Sequence, residues 1–118
     1  MRQPLPIESY GNGGFRVAGV WRPGSLLILN DVARDWPPPS LAAVSLADFA
    51  DVLAAPSGQV EFVLLGTGPA QALPPREVRD ALRAAGLGLE FMASEAAART
   101  HNVLAQQGRL FATALIAV

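Results

Sequence analysis

The chain has 118 residues, nine arginines, no lysine, ten acidic residues and a formal net charge of -1. Its 51% hydrophobic and 16% charged content excludes a disordered chain. The length suits one domain, expected over residues 1–118, and the charge excludes a global basic field for nucleic acid or anionic lipid.

The first third reads as strands and turns. Gly11-Asn12-Gly13-Gly14 is a turn cluster, and a strand is expected near residues 14–18. Trp21-Arg22-Pro23-Gly24 reads as a turn into a second, apolar strand near 25–30, closed by Asn30-Asp31. These two strands are expected to form an N-terminal hairpin. Trp36-Pro37-Pro38-Pro39 reads as an extended connector, because proline lacks the ladder donor.

The texture then changes. Ser45 with Asp48 three residues later is a helix start, and Leu46, Phe49, Ala50 and Leu53 follow at helical spacing, so a helix is expected over 46–55. A strand follows near 60–65, stopped by Gly66-Thr67-Gly68. Pro74-Pro75 opens a second helix, 75–85, with Val78, Ala81, Leu82 and Ala85 inward and Gly86 after it. A strand at 88–92 leads to Ser94, read as the cap of a third helix over 95–107. Ala96, Ala97, Thr100, Val103 and Leu104 are its expected inward face, and a last strand covers 109–116. This alternation implies an α/β fold with helices on the faces of a shared sheet, and the antiparallel first hairpin makes that sheet mixed.

Several chemistries are excluded by composition. Without cysteine there are no disulfides, thiolate nucleophiles or cysteine zinc sites. Without lysine there is no Schiff-base residue and no P-loop. His101 is the sole histidine, which excludes two-histidine metal motifs. No catalytic residue, metal or cofactor is therefore implied. The stretch from Met1 to Tyr10 lacks the basic, apolar and small-residue order of a leader peptide. The longest strongly apolar run, Leu110–Val118, falls well short of the ~20 residues that span a bilayer. A cytoplasmic protein without direct membrane insertion is the expectation.

The remaining constellations are modest. Ser94 and His101 are seven residues apart on one helix, a rise of roughly 10 Å, so they cannot share a hydrogen bond. His101 reads as a partly exposed helix residue. Asp48 with Asp51, and Glu77 with Asp80, lie opposite apolar stripes and read as solvated. Arg76, Arg79 and Arg83 form a stripe diluted by Glu77 and Asp80, without the interleaved aromatics that stack nucleic acid bases. Gly66-Thr67-Gly68 has Gln71 where a dinucleotide fingerprint needs its third glycine. One composite feature stands out. If the strands ending at Gly66 and Met92 are parallel, then Gly66, Thr67, Gly68, Ser94, Arg99 and Asn102 meet at their carboxyl ends. They form either a ligand or partner cleft, or a buried network tying loop to helix.

Four segments carry a family resemblance: Ser9-Tyr10-Gly11-Asn12-Gly13-Gly14-Phe15-Arg16, Pro23-Gly24-Ser25, Leu64-Leu65-Gly66-Thr67-Gly68, and Arg99-Thr100-His101-Asn102-Val103-Leu104. Together they resemble the small uncharacterised Mth-like domain family, which includes assembly factor three of the mitochondrial NADH:ubiquinone oxidoreductase (complex I). The resemblance runs from about Ile7 to Leu115. It implies a three-layer α/β domain around a mixed sheet with one strand antiparallel to the rest. It implies no established enzyme activity, and a protein partner such as a subunit of a membrane complex. The family usually has tyrosine where this chain has His101, and often glycine where it has Glu95. The alternative function is a small-molecule or anion binder, or an unrecognised enzyme, using the cleft near Thr67 and Arg99.

Overall fold

The computed structural model describes residues 5–118; Met1–Pro4, part of the stretch read above for a leader, lie outside them. Two sheets and three helices make three layers. A small antiparallel sheet contains β1 (Ile7–Gly11), β2 (Gly14–Val17) and β3 (Val20–Pro23), in that order. The central sheet contains β4 (Ser25–Leu29), β5 (Val32–Trp36), β6 (Phe62–Gly66), β7 (Gly88–Met92) and β8 (Phe111–Leu115), in the order β5-β4-β8-β6-β7. β6 runs parallel to both β7 and β8, whereas β4 is antiparallel to both of its neighbours. The mixed sheet thus has one strand running against the other four.

Sequence alone misassigns the first third. Residues 14–18 and 25–30 do not form a hairpin with each other: β2 pairs with β1 and β3, while β4 pairs with β5 and β8 in the other sheet. The true hairpins have two-residue loops at Asn12-Gly13, Ala18-Gly19 and Asn30-Asp31. All six loop residues have positive φ, between 48° and 82°, as the tight turns matched to strand twist require. The expected turn at Trp21-Arg22-Pro23 is a strand, and its proline sits at the end of an edge strand, where no ladder donor is needed. Trp36 ends β5 rather than opening the connector.

The helical elements lie near their expected ranges. Leu46–Phe49 is a 3-10 turn that passes into α1 (Ala50–Leu53). The Asp48 carboxylate accepts from the Ser45 amide at 2.8 Å, so this acid closes the helix start. The Trp36 indole donates to the Asp48 carbonyl at 2.9 Å and meets the Phe49 ring edge-on at 5.5 Å. α2 (Arg76–Ala84) ends in bonds from the Gly86 amide to the Arg83 carbonyl and from the Leu87 amide to the Leu82 carbonyl, with Gly86 at φ 76°. α3 (Ser94–Gln106) is turned relative to its expected face: Val103 is 56% exposed and His101 only 3%.

The strand pattern divides the core between the two faces of the central sheet. Val63 and Leu65 of β6, with Ala112 and Ala114 of β8, meet Phe49, Val52, Val78 and Leu82 on the α1–α2 face. Phe62, Leu64, Phe111 and Leu115 meet Ala97, Ala98 and Ala105 of α3, with Phe15 and Val17 of the small sheet, on the other. β6 is buried along its length because both of its edges are paired and both of its faces covered. Among the described residues, no helix is long and apolar enough to cross a membrane.

Candidate functional site

After β6 the chain moves through α2 to β7 on one side, then through α3 to β8 on the other. Such a reversal is where an open α/β sheet ordinarily leaves a crevice beyond its strand ends. Here α3 fills it. The Ser94 side chain is fully buried; its hydroxyl donates to the Ile116 carbonyl at 2.7 Å and accepts from the Gly68 amide at 2.9 Å. The Ser94 amide donates to the Gly68 carbonyl at 2.8 Å. One residue thus ties the loop after β6 to the end of β8. Ser94 is not the helix cap: it is the first residue of α3, and its hydroxyl is turned to the sheet. Gly66 permits this approach, since a Cβ there would lie 2.9 Å from the Ser94 Cα and 2.7 Å from a Leu115 methyl.

Thr67 is 4% exposed and also acts within the chain. Its Oγ1 lies 2.7 Å from the Ala70 carbonyl and 3.1 Å from the Met92 carbonyl, and accepts from the Ala72 amide at 3.2 Å. The hydroxyl therefore shapes the loop that leads to α2. Asn102 lies elsewhere on α3. Its Oδ1 accepts from the Ile7 amide and its Nδ2 donates to the Ile7 carbonyl, both at 2.8 Å. The side-chain amide pairs with the start of β1 as a neighbouring strand would.

Arg99 does not join these groups. Its side chain is 62% exposed, and Nη1 donates at 3.0 Å to both Glu95 Oε1 and the Tyr10 hydroxyl. Tyr10 in turn donates to Glu95 Oε1 at 2.9 Å. The six residues expected to converge thus separate into three groups. Gly66, Thr67, Gly68 and Ser94 form a buried clasp; Asn102 holds β1; Arg99 belongs to a surface triad with Tyr10 and Glu95. The triad borders a shallow depression of about 340 Å³ lined by Tyr10, Gly11, Gly68, Pro69, Glu95 and Val118. The Glu95–Arg99 pair was legible from its i, i+4 spacing. Tyr10, 85 residues from Glu95, carried no signal because the strand that bears it was not recognised.

The Tyr10 hydroxyl first, then the Arg99 guanidinium, hold the Glu95 carboxyl below its ordinary range. Glu95, then Tyr10, hold Arg99 above its own. Tyr10→Phe is expected to move the Glu95 titration midpoint up toward the ordinary carboxylate value, as read by carbonyl NMR shifts against pH. An unmoved midpoint would mean the triad does not persist in solution.

His101 is buried rather than partly exposed. Its Nδ1 lies 2.7 Å from Thr113 Oγ1 and its Nε2 2.8 Å from the Leu5 carbonyl, with the Phe111 ring edge-on at 5.5 Å. The carbonyl can only accept, so Nε2 carries a proton and donates to it, while Nδ1 shares a hydrogen bond with the Thr113 hydroxyl. Of the four carboxylates read as solvated, Asp51 and Asp80 sit in surface pairs, with Arg34 at 2.9 Å and Arg76 at 3.7 Å, whereas Asp48 is half-buried at the helix start it closes. No cluster of three histidines or acids gathers among the described residues.

Comparison with known proteins agrees with this architecture. A protein of unknown function described as DUF498/DUF598 provides a family model that matches residues 7–116. An uncharacterised protein of Rhodobacter capsulatus is 38% identical over 112 residues, covering 95% of this chain and 84% of its own. A 13 kDa major membrane protein of Francisella tularensis is 43% identical over 49 residues, covering 42% of this chain and 40% of its own. Among solved structures, an outer membrane protein from Bartonella henselae has a TM-score of 0.85 and 36% identity, covering 99% of this chain and 98% of that one. A Mth938-like domain from Bordetella pertussis has a TM-score of 0.75 and 27% identity, covering 94% and 84%. The matched span takes in β1 through β8 with every residue of the clasp and the triad, and on that footing the chain belongs to the DUF498/DUF598 family of proteins of unknown function.

Proposed function

We propose that this chain is a non-enzymatic protein-interaction domain that assists the assembly of a membrane-bound complex, of which a respiratory complex is the leading case. The observation that carries this reading is how the residues expected to line a cleft use their polar groups. The side chains of Thr67, Ser94 and Asn102 all bond main-chain atoms of this same chain, so they brace the fold and are not held ready for a substrate. Among the described residues, the one buried side-chain polar atom without a partner is Arg22 Nε on β3, outside the crevice. The Mth-like resemblance supplies the assembly role. Two relatives bear membrane names, the Bartonella outer membrane protein and the Francisella membrane protein, which supports work at a membrane surface through a protein partner.

The test is genetic. Deletion of the gene in its host is expected to lower the amount of fully assembled NADH:ubiquinone oxidoreductase on native gels and to leave smaller subcomplexes, with restoration by the wild-type chain. Unchanged amounts of this and the other membrane complexes would overturn the reading. A ligand-binding role for the depression near Gly68 and Arg99 would appear instead as a thermal shift with small anions, about 2.7 kcal/mol at 100 times Kd.

A further inference from the structure

β7 is an edge of the central sheet, and its parity shows which main-chain groups are unpaired. The Gly88 amide donates to the Glu61 carbonyl at 3.1 Å, and the Met92 carbonyl accepts from the Thr67 amide at 2.8 Å. In a parallel pair alternate residues bond one neighbour, so Gly88, Glu90 and Met92 turn their main chain toward β6. Leu89 and Phe91 turn theirs outward. The Phe91 carbonyl accepts from the Gln71 side chain at 3.3 Å, which leaves the Leu89 amide, the Leu89 carbonyl and the Phe91 amide at the open edge.

Beside that edge, on the α3 face, lies a cavity of about 220 Å³. Phe62, Met92, Thr100 and Leu104 line it together with the charged side chains of Glu90 and Arg109. The Arg109 guanidinium lies 5.0 Å from the Phe62 ring centre. Gly88 adds no side chain to this face beside Phe62, its β6 neighbour, which is buried and has the Arg109 guanidinium over its ring. Glu90 takes part in none of the ion pairs of the described residues. An edge strand flanked by a helix and a hollow that offers both apolar and charged side chains is the arrangement that captures peptides by strand addition.

Building on the reading of the chain as an interaction domain, we propose that β7 accepts an extended segment of a partner protein as a sixth strand of the central sheet. The segment carries a lysine or arginine opposite Glu90 and an apolar side chain two residues away, over Gly88 and against Phe62 and Leu104. Charge selects this occupant. A second copy of the chain, paired antiparallel through both Leu89 and Phe91, would set Glu90 directly against its own counterpart, and like charges directly opposite are unfavourable.

The test uses the whole chain labelled with nitrogen-15 and two nonapeptides of alternating threonine and valine, with lysine or glutamate at the centre. The lysine peptide is expected to shift the Leu89 and Phe91 amides, slow their hydrogen exchange and bind about two- to fivefold tighter than the glutamate peptide. Glu90→Lys is expected to reverse that order, and Leu89→Pro to abolish binding while the β6 ladder remains, because the Leu89 amide is not part of it. Should Leu89→Pro lose its dispersed spectrum, the reversal by Glu90→Lys decides alone. Shifts confined to other residues, or an order unchanged by Glu90→Lys, would overturn the proposal. So would a concentration-dependent dimer through β7 in place of peptide binding. The titration is independent of the deletion test, so assembly defects without edge binding would leave the interaction reading standing and remove only this site.

Discussion

Replacing Ser94 with alanine is expected to lower folding stability by about 3 kcal/mol and the melting temperature by about 10 °C, far more than an average hydroxyl deletion. The hydroxyl is fully buried and serves two main-chain groups at once, the Gly68 amide and the Ile116 carbonyl. Alanine leaves both without a partner where water has no access, and each such group costs on the order of 1–3 kcal/mol. The same cut at the exposed Ser57 is expected to change stability by less than about 0.5 kcal/mol. Denaturant unfolding of the two variants measures the difference. Ser94→Ala with wild-type stability would mean that the loop after β6 is held by something other than this clasp, and the crevice would again be a candidate ligand site.

His101→Ala is expected to cost about 3–4 kcal/mol, through the loss of two buried hydrogen bonds and of the ring packed beside Phe111. Thr113 Oγ1 and the Leu5 carbonyl would lose the partner that joins them across the layers. The size of this effect separates a brace from a catalyst. A catalytic histidine, once removed, leaves a folded and inactive protein, whereas a structural one leaves a protein that unfolds early and functions in proportion to its folded fraction. Unfolding curves taken beside the assembly assay, normalised to folded protein, distinguish the two. A variant as stable as the wild type would overturn the structural assignment.

The helical half of the fold was legible because its signals are local. Ser45 with Asp48, Pro74-Pro75 before α2 and Gly86 after it each act within a few residues, and all three lie where expected. The buried strands β6 and β8 were also legible as apolar runs, since both faces of the central sheet are covered and neither strand needs a polar side. Asn12-Gly13 announced its turn, but the strands around it did not announce their partners. Ile7–Gly11 and Val32–Trp36 alternate weakly, since each buries only one of its five residues. Which strand pairs with which is a long-range choice, and no spacing in the first third distinguishes β2–β3 from β2–β4.

The candidate site divides in the same way. Residue types and spacing placed Gly66, Thr67, Gly68 and Ser94 at one end of the sheet only on the condition that β6 and β7 run parallel, and the tertiary pairing supplies that condition. Only the tertiary structure decided that they close on each other, with Ser94 inside the crevice instead of capping α3. The phase of α3 was likewise a tertiary matter. Its alanines fit either face, so helical periodicity was weak, and the bonds of His101 to Thr113 and of Asn102 to Ile7 set which side turns inward. Those same bonds turn Val103 to solvent and leave Arg99 at the surface with Glu95 and Tyr10. The sequence by itself determined the inventory of groups and the local elements that carry them. Burial, pairing and helix phase, which depend on contacts between residues as far apart as Ile7 and Asn102, decided which of those groups are spent on the fold and which remain at its edge.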